Sequence, residues 1–354
     1  MNSQLYIPST KNRFRELVDY CVQKMHLHED SCFPKIKKPI HMISFLYDKY
    51  CKLMNEQDNN RSGSLIDFDR RIDLTEYDSN IADFLKVFET YCQDNISRFA
   101  LGIFLHGSLA TNDYTGFSDV DAGIFVKNEV MLDPGLLKKL QVRIKGALRL
   151  ILNFENLQHH GFFIIPEYFL MRYPEEYLPL DSLKLSKVVG TSFEVKLNAK
   201  RNKALAYEKY MRIHNFVKDG CREPNNLYEI KHQLSTLMLF PVLYLQAKGT
   251  YVYKKKSFDL VKKVIPDSSA VMDEMGEIRR HWNRFSFKLL QMLVHALPNP
   301  WYISLIYRQL NWMAFKCFKV GSSDMINKDT ICIFSKKIRK TKNGIVSLYK
   351  KDTA

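Results

Sequence analysis

Residues 101–126 read LGIFLHGSLATNDYTGFSDVDAGIFV, and this stretch decides the fold. It opens on an apolar run of strand length, 101–105, that stops at His106-Gly107-Ser108. A polar loop follows, and Ser118-Asp119-Val120-Asp121 then leads into a second apolar run, 122–126. In a strand, residues i and i+2 share a face, so Asp119 and Asp121 stand side by side at its mouth. Carboxylates so placed repel unless something positive lies between them. Mg²⁺ (or Mn²⁺) is the economical candidate, a hard cation that takes one or two carboxylates plus phosphate oxygens and water. Gly107, lacking a side chain, lets a phosphate approach the backbone. Ser108 adds a hydroxyl and an N–H as phosphate donors.

The order strand, Gly-Ser, ten residues, Asp-x-Asp, strand resembles the nucleotidyltransferases of the polymerase-beta superfamily. The look is that of the minimal and aminoglycoside-modifying branches, with their GSxA…SDxD pattern, here Gly107, Ser108, Ala110, Ser118, Asp119 and Asp121. Asn112 stands where those families usually have Gly, and Asn also tolerates positive φ. The resemblance implies an α+β fold, a mixed sheet with flanking helices plus a helical C-terminal domain. It implies an NTP substrate, a divalent ion on Asp119 and Asp121, and transfer of a nucleoside monophosphate to a hydroxyl with release of pyrophosphate.

Similar enzymes carry a third carboxylate on the next strand, expected here at 161–170, whose apolar run holds no Asp. A strand–helix–strand connection makes the two strands parallel, so the third group belongs near the start of the later one, at His159-His160. His160 is therefore the expected third catalytic group. Glu167, the only carboxylate on the strand, is kept as a metal ligand, although seven residues along a strand span roughly 20 Å.

With 354 residues the chain can bury a sizeable core and form two or three domains. No apolar run approaches the roughly 20 residues that cross a bilayer, and the N-terminus lacks a signal-peptide apolar region, so no membrane contact and a cytoplasmic location are expected. The seven cysteines are scattered without a CxxC pair, which argues against a zinc or disulfide framework. Charge is uneven. Residues 198–354 hold 29 Lys+Arg and 12 Asp+Glu, a net +17, whereas residues 1–197 are near neutral at −2. The basic half suits a polyanion, either nucleotide phosphates or RNA.

Outward from the centre, residues 79–97 read as a helix capped by Ser79 or Asn80, and a long helix begins at Asp133-Pro134 and runs to about residue 153. Residues 10–28 and 40–55 have helical spacing, and the polar stretch 56–64 reads as a linker. The expected division is an N-terminal helical extension (1–78), a catalytic domain (79–197), a helical substrate- and nucleotide-binding domain (198–330) and a basic tail (331–354). Within the third, residues 226–249 form a helix kinked at Pro241. Lys254, Lys255 and Lys256 lie just before a short helix, where helix N-terminus and lysines together attract phosphate. Similar nucleotidyltransferases bring basic groups to the triphosphate from a comparable place. A further helix, 270–296, interleaves Arg279, Arg280 and Arg284 with Trp282 and Phe285, a pattern able to stack on RNA. A small hydroxylated molecule, a protein side chain and RNA stay open as acceptors. A non-catalytic nucleotide- or RNA-binding module on the same fold is the alternative.

Overall fold

A computed structural model describes residues 39–57, 63–158, 160–218, 227–265, 268–282 and 328–353. The expected helix at 10–28, His159, Arg284, Phe285 and the segment 283–327 lie outside these residues. The fold is α+β, as expected: a mixed sheet flanked by helices, followed by a helical C-terminal region.

The central sheet is built from β2 (Ala100–Leu105), β3 (Ala122–Val126), β4 (Phe163–Pro166) and β6 (Lys187–Val188), in the order β4-β3-β2-β6. β2 and β3 run antiparallel with Ile103 opposite Ile124, and β3 and β4 run parallel with Ile124 opposite Ile164. Side chains alternate between the faces. Ile103, Leu105, Ile124 and Val126 join a core beneath α2 (Ser79–Asn95) and α5 (Pro134–Phe154). Phe104 and Phe125 point the other way, against Phe68 and Val195.

Both long helices start where the chain supplies caps. The Asp133 carboxylate accepts from the N–H groups of Gly135 and Leu136, with Pro134 in the first turn. Asp78, rather than Ser79 or Asn80, caps α2 by accepting from the Ile81 N–H at 2.9 Å. The cap must precede Ile81 by three residues to reach that donor, and Ile81 opens the buried stripe continued by Leu85, Phe88 and Cys92.

Several boundaries differ from expectation. β1 (Ser64–Phe68), inside the supposed extension, pairs antiparallel with β7 (Phe193–Leu197), so residues 64–68 pack with the sheet-bearing unit rather than apart from it. β4 ends at Pro166, and Glu167 opens a 3₁₀ turn, Glu167–Arg172. The helix with Pro241 is two helices, α8 (Leu227–Leu237) and α9 (Phe240–Ala247), because the proline sits in the first turn of the second, where its missing N–H costs nothing. Lys254 is the first residue of α10 (Lys254–Val264) rather than a residue before it. The supposed basic tail is part of α12 (Lys328–Thr353), whose Ile338, Ile345, Leu348 and Tyr349 are buried among the C-terminal helices.

That helical core contains α7 (Lys203–Lys218), α8, α9, α10, α11 (Ser269–Arg280) and α12, and it takes in Phe117, Leu152 and Leu157 from the sheet-bearing unit. Phe117 meets Trp282 edge-on at 5.3 Å, so the two units share a packed boundary beside the Asp119–Asp121 strand. Among the described residues no helix is long and apolar enough to cross a membrane.

Candidate active site

The turn after β2 brings the first elements together. Gly107 has φ of 70° and opens a short helical turn, α3 (Gly107–Ala110). A Cβ there would lie 2.3 Å from Asp121 Oδ2, so the glycine is needed both for its backbone angle and for room beside that carboxylate. Ser108 is half-buried in the same turn. Asn112, at φ of 57°, is held on both ends of its amide: Nδ2 donates to Glu76 Oε2 at 2.9 Å, and Oδ1 accepts from Lys187 Nζ at 3.0 Å. Lys187, buried on β6, also donates to Tyr77 and pairs with Glu76, while the Tyr77 hydroxyl donates to the Leu109 carbonyl at 2.7 Å. This network clamps the Gly-Ser turn to the sheet edge.

Asp119 and Asp121 immediately precede β3, and both carboxylates face His160. His160 Nε2 lies 3.0 Å from Asp121 Oδ1 and 3.7 Å from Asp119 Oδ2. The parallel pairing explains this: Phe163 is level with Gly123, which sets His160 level with Val120. The same register moves Glu167 to the far end of the sheet. There its Oε2 accepts from the Asn128 N–H at 2.8 Å, six residues or roughly 20 Å along from Asp121, so it is not brought to the aspartates.

Three further residues support the pair. Gln158 accepts from the Val120 N–H at 3.0 Å and donates to the Val120 carbonyl at 3.1 Å, fixing the backbone between the aspartates. Lys231, from α8, has no exposed surface and sets Nζ 2.8 Å from Asp119 Oδ1 and 3.1 Å from Glu155 Oε1. Glu155 is itself buried where α5 ends. None of the three is marked in the sequence by spacing, because each reaches the site through long-range packing.

The charges are strongly coupled. Burial opposes a charge on His160, but the Asp121 hydrogen bond and the two aspartate charges prevail and push its pKa up to about 9. Burial likewise opposes ionisation of Asp121, yet the His160 hydrogen bond and the charges of His160 and His106 hold it below the usual carboxylate range. Burial and the neighbouring Asp119 charge push Glu155 up in spite of Lys231. Burial works against charged Lys231 too, and Asp119 and Glu155 together overcome it, so its pKa is raised.

The opposite wall comes from α10 and α11. Burial depresses the pKa of Lys254, which is close enough for Asp121 and Asp119 to pull it partly back. Lys255 pairs with Asp113 at 2.5 Å and Lys256 with Asp181 at 3.1 Å, so these two face acidic side chains on the rim. Arg279 donates to the Asp113 carbonyl at 2.9 Å and reaches Ser118 Oγ at 3.4 Å.

The donor set fits a hard divalent ion. Two carboxylates converge beside the Gly107 turn, where the absent side chain leaves the Asp121 carboxylate close to the backbone. Among the described residues no group of three or more His, Cys, Asp or Glu is arranged to hold a metal by itself, so the shell would be completed by substrate oxygens and water. Residues 85–165 match the model of a family described as "Nucleotidyltransferase domain". The matched segment holds Gly107, Ser108, Asp119, Asp121 and His160, and the match supports a polymerase-beta-like nucleotidyltransferase assignment for that segment. Lys231, Lys254 and Arg279 lie beyond it. No curated protein matches the sequence.

Proposed function

We propose that the nucleotidyltransferase domain transfers a nucleoside monophosphate from an NTP to a hydroxyl acceptor. What carries the reading is the convergence of Asp119 and Asp121 beside the Gly107-Ser108 turn, with Lys254 on the facing wall. Mg²⁺ or Mn²⁺ held by Asp119 and Asp121 would neutralise charge on the leaving pyrophosphate. The Gly107-Ser108 turn holds phosphate oxygens through backbone N–H groups and the serine hydroxyl. Lys254 attracts the triphosphate, and Lys255 and Lys256, on the same helix start, can exchange Asp113 and Asp181 for phosphate. The acceptor oxygen bonds to the α-phosphorus, the bond from that phosphorus to the β-phosphate's bridging oxygen breaks, and the hydroxyl proton passes to Asp121. The site's contribution is positioning and electrostatics.

A small hydroxylated molecule, a protein side chain and RNA are the three acceptor classes. RNA draws on the net +17 of residues 198–354. A second reading, a nucleotide- or RNA-binding module without transfer, is favoured by one observation: His160 occupies the strand-start position where related sites carry a carboxylate. Pyrophosphate release from each of the four NTPs with Mg²⁺ or Mn²⁺, with and without RNA, tests both. Release that is lost in Asp119→Ala and in Asp121→Ala supports the enzyme. Nucleotide binding without release supports the module. Release surviving in both variants would sink the assignment of the aspartates.

A further inference from the structure

The surface of α5 departs from the usual mix of charges. Its 21 residues hold five lysines and arginines and no aspartate or glutamate, so no carboxylate one turn away can pair with them. Leu140, Ala147, Leu148 and Ile151 turn one face into the core, which leaves Lys138, Lys139 and Arg143 exposed on the outer one. Beside them lies a cavity of about 570 Å³, framed by α5, by α4 (Asn128–Leu132) and by Arg98-Phe99 at the start of β2. The length of β3, roughly 17 Å, separates it from Asp121, so a ligand there does not touch the aspartates.

The floor and the rim of this cavity differ in chemistry. Phe99 and Val130, both buried, and half-buried Leu136 supply apolar surface at the base, and exposed Val142 extends it. Arg98, Lys138, Lys139 and Arg143 stand around it, against one carboxylate, Glu129. Among the described residues none of these four cations is in an ion pair, and their side-chain partners are neutral: Arg143 donates to Asn95 Oδ1 at 3.0 Å, and Lys138 Nζ lies 3.4 Å from Gln141 Oε1. Like charges gathered on one rim repel. A bound anion relieves that repulsion and is attracted by several cations at once.

We propose that this cavity binds a small organic anion with an apolar body, its charged group on the cationic rim and its body on the floor. The volume falls in the range that holds such ligands, roughly 300–1,000 Å³. An inorganic anion would leave the apolar floor wet, and a neutral apolar molecule would leave the rim without a counter-charge. Single-stranded RNA fits less well. Such strands are held by aromatic faces on which bases stack. The one aromatic of this lining, Phe99, is 3% exposed and has the Arg98 guanidinium 4.6 Å from its ring centre. Because the cavity is remote from the aspartates, its ligand takes no part in the transfer, and the proposal stands apart from that reading.

The probe is 8-anilinonaphthalene-1-sulfonate, an aromatic body carrying one sulfonate, whose fluorescence rises in an apolar site. Full-length wild-type protein should bind it. Lys139→Glu, which reverses a rim charge, and Val142→Glu, which sets a carboxylate over the floor, should each weaken binding by at least about tenfold. Lys196→Glu is an equal charge change at an exposed position of β7, on the opposite face of the sheet, and should stay within about twofold of wild type. Naphthalene-1-sulfonate should displace the probe where the same concentration of inorganic sulfate does not. Thermal unfolding checks that each variant is folded; if Lys139→Glu is not, Lys139→Gln takes its place, with a loss of about threefold expected. No binding by the wild type, equal affinity in the Lys139 and Lys196 variants, or displacement by sulfate as effective as by naphthalene-1-sulfonate would overturn the proposal. Displacement by poly(U) in preference to naphthalene-1-sulfonate would also overturn it, and would hand the cavity to RNA.

Discussion

Gly107→Ala isolates what the Gly-Ser turn does for the aspartates. At φ of 70° an L-residue costs about 1–2 kcal/mol in backbone strain alone. The new methyl would also lie 2.3 Å from Asp121 Oδ2, well inside the 3.4 Å of ordinary contact, so the carboxylate or the turn must move by about 1 Å. A displacement of that size at a reacting centre costs on the order of 10²-fold in rate. Gly249→Ala is the matched control: its φ is 88°, it carries the same kind of strain, and a Cβ there meets nothing within 4 Å. Urea unfolding should place both variants about 1–2 kcal/mol below wild type, with Gly107→Ala the lower. Pyrophosphate release, or Mn²⁺ affinity if no release occurs, should fall about 10²-fold in Gly107→Ala and stay near wild type in Gly249→Ala. Equal loss in both variants, or wild-type behaviour in Gly107→Ala, would refute the claim that the glycine exists to make room for Asp121.

Other consequences can be checked on the same protein. Lys231→Met leaves Asp119 and Glu155 without their buried cation, and the urea midpoint should report a loss of about 3–5 kcal/mol; a loss under about 1 kcal/mol would mean that the carboxylates find water instead. Gln158→Leu strips partners from the Val120 N–H and carbonyl at about 1–3 kcal/mol for each group left buried and unpaired, and amide exchange at Val120 should accelerate. Burial brings the pKa of Lys209 down to about 8, against partial compensation by Glu176. A lysine depressed in the folded state binds fewer protons there than when unfolded, so its contribution to stability rises as pH increases from about 8 toward its ordinary range. The wild-type minus Lys209→Met stability difference should therefore climb across that window, and a flat difference would contradict the assignment.

Much of the centre was legible because its determinants are local. The two apolar runs, the glycine turn and the i, i+2 spacing of the aspartates lie within one short stretch. The parallel pairing of β3 and β4 follows from a connection rule, and it correctly brought His160, rather than Glu167, to the aspartates. What escaped depends on distant packing. Lys231 lies on an amphipathic helix where a lysine reads as solvated, and only the approach of α8 to the end of α5 buries it. Gln158 acts through backbone atoms, which leaves no pattern in the side chains. β1 finds its partner β7 well over a hundred residues later, beyond any window of periodicity. In α12, Ile338, Ile345 and Leu348 have helical spacing, but the surrounding lysines and arginines outweigh them in composition.

The burial of α12 also sets a schedule for synthesis. Residues 100–126 leave the ribosome early, with both aspartates and the phosphate turn already encoded. The helix that delivers Lys231 shares its core with Ile338, Ile345 and Tyr349, so Asp119 gains this second counter-charge, beside that of His160, only after residue 349 has been translated. A nascent chain, or one cut short by a stop codon before residue 338, would expose the paired carboxylates without the lysine that steadies them. Translation of α12 thus acts as the step that steadies the centre.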